Sequence, residues 1–387
     1  MKRQQLLTDW LRSLFPDEPF SITPASADAS FRRYFRVTFA DGGRVALPAG
    51  SPAAGESLRP AAPDASGMHS TSRQQDASRG AVSPKADCSA APHQPATLIV
   101  MDAPPQYEDC APFLHIAKLF EHAGTHVPHV YAEDLAQGLL LLSDLGNITY
   151  LQALCGKDAA IAQKLYGAAT DALIRIQLSS RENALPPYNE ALLRRELNLF
   201  PEWYVGKHLQ VTLNQNQNAT LETMFRRILD NNLSQPRVYV HRDFHSRNLM
   251  VADPNPGILD FQDAVFGPIT YDLASLFKDA YIDWEEAQIM DWLIRYWEKA
   301  RKAGLPVPRD FGEFYRDYEW MGVQRHIKVL GIFARLYHRD GKEGYLKDMP
   351  RVMNYLRRAC ERYIELKPLL KLLDALAPRE LQTGYTF

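Results

Sequence analysis

VYVHRDFHSRNLMVADPNPGILDFQD, Val238 to Asp263, sets two carboxylates and one amide at the spacing a phosphoryl-transfer site requires. Asp243 follows a short apolar strand (Val238, Tyr239, Val240), Asn248 comes five positions later, and Asp260 twelve after that. The stretch between Asn248 and Asp260 reads as a hairpin. One strand covers Leu249–Ala252, a Pro/Asn/Gly turn Asp253–Gly257, and the return strand Ile258–Phe261. Folding about that turn brings Asn248 opposite Asp260 to within a residue or two, so both can hold one hard cation. Mg²⁺ takes oxygen ligands of this kind and leaves positions for water and phosphate oxygens. Asp243 is then free to accept a proton from an attacking hydroxyl. Phosphoryl transfer has a loose transition state, so positioning and charge neutralisation supply most of the catalysis. Each residue alone also fits ordinary loop chemistry; in series, in this strand and turn context, they point to kinase chemistry.

Composition is consistent with an enzyme of two lobes. The 387 residues are 46% hydrophobic and 23% charged, values of a soluble globular protein large enough for a substantial core. A net charge of −2 gives no electrostatic case for nucleic acid or an anionic membrane. The cysteines Cys88, Cys110, Cys155 and Cys360 are scattered, with no CxxC pair, which argues against a zinc site or a disulfide framework and predicts a cytoplasmic location. Leu6, Leu7, Trp10, Leu11, Leu14 and Phe15 recur at helical spacing with polar residues between them, an amphipathic helix and not a signal peptide. No window is long and apolar enough to span a bilayer.

Working outward, HRDFHSRN resembles the catalytic loop of the protein-kinase-like fold, and LDFQD is similar to the metal-binding segment of its aminoglycoside-phosphotransferase branch. GPITYDLASL, Gly267–Leu276, resembles that branch too, with Asp272 either bracing the catalytic loop or capping a helix. More narrowly, SFRRYFRV, LIVMDAPP, LLLSDLG, FQDAVFGPITYDLASLFKDAY and QRHIKVLGIFARL together look like the bacterial N-acetylmuramate/N-acetylglucosamine anomeric kinases of cell-wall recycling. The resemblance implies an α+β, bilobal fold. A small β-rich lobe over 1–142 would hold ATP, and a larger, mainly helical lobe over 143–387 would carry catalysis and the acceptor. It implies ATP-dependent phosphorylation of the C1 hydroxyl of an amino sugar. It names no protein partner.

The first lobe departs from the general kinase pattern. Phe20–Thr23 and Phe31–Phe39 read as strands, and the small-residue segment Pro24–Ser30 between them is where the resemblance places a loop over the nucleotide phosphates. It lacks the usual glycines, leaving backbone N–H groups and the hydroxyls of Ser26 and Ser30. The phosphate-binding lysine is also missing: the strand Thr97–Met101 ends in Met101-Asp102. Arg32 or Arg33 can substitute, arginine being a bidentate phosphate partner, and both equally fit surface strand positions. Leu142, Asp144 and Leu145 fall where the resemblance puts the adenine-facing hinge, and fit a plain strand-to-helix turn as well. Ala46–Ala96, rich in Ala, Pro, Ser and Gly and without Phe, Trp, Tyr or Ile, reads as a disordered insertion between two strands.

On the acceptor side, Arg194, Glu196, Trp203 and Tyr204 offer polar groups and aromatic surface just before the catalytic loop, and fit a helix core equally well. Arg194, Arg195 and neighbouring Lys207 disfavour a polycationic aminoglycoside and suit a muramyl carboxylate. Within the loop, Arg247 can reach the transferring phosphoryl group and neutralise its charge, and His245 can touch substrate or phosphate; each equally fits a hydrogen bonder that stabilises the loop. Arg325 and His326 stand inside the apolar run Gly322–Leu336. Two readings compete: a kinase of another alcohol, of aminoglycoside or choline type, and a non-catalytic pseudokinase scaffold. The intact Asp243, Asn248 and Asp260 oppose the scaffold.

Overall fold

The computed structural model describes residues 2–27, 31–40 and 97–376. Ser30, the side chain of Ser26 and the segment read as an insertion lie outside the described residues. Contacts divide the chain into two compact units, Met1–Cys110 with His129–Asp144, and Ala111–Pro128 with Leu145–Phe387.

The first unit is helix α1 (Lys2–Leu14) on an antiparallel sheet of β1 (Phe20–Ala27), β2 (Arg33–Phe39), β3 (Thr97–Asp102), β4 (Val130–Asp134) and β5 (Leu139–Ser143), in the order β1-β2-β3-β5-β4. The amphipathic spacing of α1 turns Leu7, Leu11 and Phe15 onto Val37, Phe39, Leu98, Val100, Leu139 and Leu141. Alternation along β2 buries Val37 and Phe39 and leaves Thr38 exposed. β1 runs further than the sequence reading, which ended it at Thr23. The strand continues through Pro24 to Ala27, with an irregularity between Pro24 and Ser26, and Ser26 pairs with Tyr34. Ser26 is thus a strand residue. An edge strand tolerates the proline because the missing N–H need not enter the ladder.

The second unit is mainly helical. The element α2 (Ala111–His122), which the sequence reading assigned to the first lobe, packs here: Phe113 and Phe120 meet Phe261, with ring centroids 4.8 and 5.9 Å apart. The expected segment Leu154–Leu178 starts later than its sequence suggests: α3 (Tyr150–Ala153) ends before it, and the helix proper is α4 (Ala159–Leu178). Lys157 turns to φ +50°, and Asp158 caps the second helix by accepting from the N–H groups of Ala160 and Ile161. The expected segment Asn189–Tyr204 also divides. Asn189 caps α5 (Glu190–Leu197), and a π-helical stretch follows over Phe200–His208, with Pro201, which cannot donate to a preceding α ladder, as its second residue.

Helix α6 (Gln215–Ser234) leads to β6 (Arg237–Val240), the hairpin β7 (Leu249–Met250) and β8 (Gly257–Ile258), and β9 (Val265–Pro268), which pairs with β6. Helices α7 (Tyr271–Phe277), α8 (Glu286–Lys302), α9 (Phe311–Asp340), α10 (Met349–Arg362) and α11 (Lys367–Leu376) complete the unit. The long α9 is buried along most of its middle and comes against α5, α6, α7, α8 and α10. Among the described residues no helix is long and apolar enough to cross a membrane.

Candidate active site

The expected catalytic-loop residues lie between β6 and β7, and the hairpin closes with strands shorter than the expected Leu249–Ala252 and Ile258–Phe261, Gly257 pairing in the ladder and not the turn. Leu249 pairs with Ile258 and Met250 with Gly257, and the Leu259 N–H donates to the Asn248 carbonyl at 2.9 Å. Asn248 therefore faces Asp260. Its Nδ2 donates to Asp260 Oδ2 at 3.1 Å and to the Asp243 carbonyl at 3.0 Å. The amide nitrogen is spent on protein, which leaves Asn248 Oδ1 beside the Asp260 carboxylate. These are hard oxygen donors, and two of them, with room for water and phosphate oxygens, fit Mg²⁺. No cluster of three or more His, Cys, Asp or Glu able to hold a metal occurs among the described residues.

The loop is held in an unfavourable backbone shape. Arg242 has φ +76° and Asp260 φ +63°, the left-handed region that side-chain-bearing residues rarely adopt. Asp272, at the start of α7 and buried, holds the first of these in place: its carboxylate accepts from the backbone N–H groups of His241 at 2.7 Å and Arg242 at 3.0 Å. It therefore braces the loop and does not simply cap its own helix. Burial raises the Asp272 carboxyl to about 7 against the lowering effect of those two bonds. Asp279 braces the loop further on, accepting from Ser246 and Tyr281 N–H groups at 2.9 Å each.

His241 is structural. Its ring stacks on Phe120, accepts from the Asp243 N–H through Nδ1 and meets the Leu259 carbonyl through Nε2 at 3.0 Å, which puts the proton on Nε2. Burial depresses it to about 4, so the ring is neutral near pH 7. Burial would raise Asp243, but the positive charges of Lys328, Arg242 and Arg325 outweigh it and hold the carboxyl below the usual range. Asp243 is therefore ionised and available to accept.

Glu196, expected on the acceptor side, serves the loop instead. It is buried, and its oxygens receive Arg242 Nη2 at 2.6 Å, Lys328 Nζ at 2.9 Å, Gln324 Nε2 at 3.2 Å and the Tyr188 hydroxyl. A buried carboxylate must be paired, and here every pairing is with protein. Burial opposes its ionisation, yet Lys328 and Arg242 bring its carboxyl below the ordinary value. Arg194 likewise does not face this cluster: its guanidinium pairs with Glu222 at 2.7 Å and lies over Phe225. Tyr204 is buried, stacked on Phe200 at 5.1 Å, and Trp203 is half-buried beside it in the π-helical stretch. The aromatic surface of Tyr204 goes into packing. Arg247 is exposed and lies over the rings of Tyr281 and Tyr345, 4.7 and 5.8 Å away, and His245 meets Tyr281 edge-on.

In the first unit, Arg33 forms an ion pair with Asp102, which is 1% exposed and also receives Arg3 Nε at 2.7 Å. Burying Asp102 where the usual lysine would stand requires cationic partners, and Arg33 is one of them. Arg32 Nε sits 3.6 Å from Glu108. Leu142 lies inside the sheet, flanked by Ile99 and Val130. Asp144 receives Arg36 through both Nε, at 2.6 Å, and Nη2, at 3.0 Å. Leu145 is buried in the second unit, next to Gly257. Arg36 was not singled out from the sequence, although its place in FRRYFR was visible.

A loop bearing an ionised Asp243, an Asn248–Asp260 oxygen pair and a brace at Asp272 defines a phosphotransferase of the kinase type. The chain belongs to the phosphotransferase enzyme family, whose family model matches residues 90–311. Over full length it is 44% identical to an N-acetylmuramate/N-acetylglucosamine kinase of Neisseria meningitidis serogroup B, covering 100% of both chains. It is 43% identical to the protein of the same name from Pseudomonas aeruginosa, over 97% of each. A solved choline kinase of Cryptosporidium parvum shares the fold, with a TM-score of 0.55 at 10% identity over 95% of this chain and 99% of that one.

Proposed function

We propose that this enzyme transfers the γ-phosphoryl group of ATP to the anomeric hydroxyl of N-acetylmuramate and N-acetylglucosamine, yielding a sugar α-1-phosphate in cell-wall recycling. The full-length 44% identity to a kinase named for these two sugars supports the acceptor. The arrangement of Asp243, Asn248 and Asp260 carries the chemistry.

In the proposed step the C1 hydroxyl oxygen attacks the γ-phosphorus, the bond to the β-phosphate oxygen breaks and ADP leaves, and the hydroxyl proton passes to Asp243. With its pKa held low, Asp243 orients the hydroxyl strongly and takes the proton late, which a loose transition state permits. Asn248 Oδ1 and Asp260 would hold Mg²⁺, which when bound neutralises charge on the phosphate oxygens. Asp272 and Glu196 position the loop through the backbone and guanidinium of Arg242. Arg247, in this reading, swings from the tyrosine rings to the transferring group.

The test is an ADP-release assay with MgATP against N-acetylmuramate, N-acetylglucosamine, kanamycin, choline and no acceptor, with phosphorus NMR of the product. Turnover with the two amino sugars and an anomeric phosphate signal is expected. Turnover with kanamycin or choline alone, or a phosphate on another hydroxyl, would overturn the proposal.

A further inference from the structure

Four cationic side chains are fully buried among the described residues: Lys278, Arg325, Lys328 and Arg357. Three have carboxylate partners, Lys278 with Glu319, Lys328 with Glu196 and Arg357 with Asp374. Arg325 does not. It is 4% exposed, its Nη1 has no hydrogen-bond partner, and its guanidinium forms no ion pair among the described residues. A buried charge without a partner is strongly unfavourable, so a native enzyme that keeps one keeps it for an anion that arrives later.

The position of Arg325 says where that anion sits. It lies on α9 one turn before Lys328, whose Nζ reaches Glu196 and the Tyr271 hydroxyl, and next to Gln324, which also donates to Glu196. This face of α9 is therefore the one turned to the catalytic loop. The charge of Arg325 is felt at Asp243, His245 and Asp272. Two more polar atoms nearby are buried without partners, His245 Nδ1 and Gln324 Oε1. Unsatisfied groups gathered beside the proton acceptor mark a place where a polar molecule completes the hydrogen bonding.

Resting on the amino-sugar reading, we infer that Arg325 receives the carboxylate of the acceptor's lactyl ether and so sets the preference for the muramyl sugar over its uncharged counterpart. The lactyl group is borne on C3, two carbons from the hydroxyl held at Asp243. A guanidinium near Asp243 but not paired with it suits that separation. The carboxylate is the one anionic group of the free acceptor, and a planar guanidinium matches it with two parallel hydrogen bonds. The role expected from sequence for Arg194 thus passes to a residue whose guanidinium forms no ion pair among the described residues.

The test compares kcat/KM for N-acetylmuramate and N-acetylglucosamine in the wild type, Arg325→Met and Arg325→Lys. The ratio of the two is expected to fall about 100-fold in Arg325→Met and about 10-fold in Arg325→Lys, the latter keeping charge without the fork. Arg325→Met should also lose the upward melting shift that N-acetylmuramate gives the wild type without nucleotide. An unchanged ratio would overturn the inference, and a weakened affinity for ADP at unchanged ratio would assign the guanidinium to phosphate. A wild type active on N-acetylglucosamine alone would also overturn it while leaving a sugar kinase in place. A wild type silent on both sugars would take the functional reading down with it.

Discussion

At Arg242 the chain accepts a left-handed backbone, φ +76°, and then spends the carboxylates of Asp272 and Glu196 on keeping it there. Strain of ~1–3 kcal/mol at such a position persists only where the surroundings over-determine it. What it achieves is the aim of Asp243. Asp243→Asn should keep the fold and lower kcat by ~10²–10⁴-fold, the range for losing a positioned proton acceptor, as read by ADP release at saturating sugar. Asp260→Ala should abolish turnover and Mg²⁺-dependent nucleotide binding together; retained Mg²⁺ dependence in an ADP titration would contradict the metal assignment. His241 gives a pH test with a definite sign. Its folded value of about 4 lies below the ordinary 6.5, so the unfolded chain binds a proton between pH 6.5 and 4 that the folded chain does not. The stability it contributes is present above pH 6.5 and is lost as pH falls to 4. Asp272, raised to about 7, works in the opposite direction, gaining stability as pH falls from 7 toward 3.8, so the wild-type profile is a sum of both. In His241→Gln the melting deficit relative to wild type should shrink steadily from pH 7 to 4; a constant deficit would show that the ring does not titrate as described.

At the scale of elements, α9 is the backbone of the second unit, and one position on it sets how closely its neighbours approach. A Cβ added at Gly331 would stand 2.5 Å from the Leu199 backbone carbon and 2.6 Å from its oxygen. Backbone cannot step aside as a flexible side chain can, so Gly331→Ala should destabilise by ~1–3 kcal/mol through overpacking, seen as a lower melting temperature with the KM for ATP little changed. α9 also shows what was legible in the sequence. Asp243, Asn248 and Asp260 could be read because they lie in one local hairpin whose turn residues announce its register. Asp272 was visible as a brace, close behind in the chain. The cluster of Glu196, Arg242, Lys328 and Gln324 could not be read, because it joins α5, the loop and α9 across separations that periodicity does not reach. Glu196 reads as a solvent-facing acid until burial is known, and its assignment to substrate failed for that reason. Arg325 left a trace, a cation inside an apolar run, but its lack of a partner is a property of the packed structure alone.

For the whole molecule, the question is whether catalysis needs the Ala- and Pro-rich residues between β2 and β3. The two strands are antiparallel neighbours, paired from Arg33 with Asp102 to Thr38 with Thr97. The ends of the intervening chain are therefore already side by side, and a short hairpin loop can join them. Among the described residues the sheet core holds Val37, Phe39, Leu98 and Val100 against α1. Closing a loop costs only slowly more as it lengthens, so a long connection is tolerated here without having to contribute stability. Replacing residues 41–96 with an Asn-Gly turn should leave kcat and the KM values for ATP and sugar within about twofold, and should hold or raise the melting temperature, since less chain must be closed. A loss of turnover with the fold intact, judged by an unchanged melting transition, would instead make the segment part of the working enzyme. A loss confined to binding of another protein in the cell would favour a docking role, the one part of the scaffold reading that an active kinase can keep.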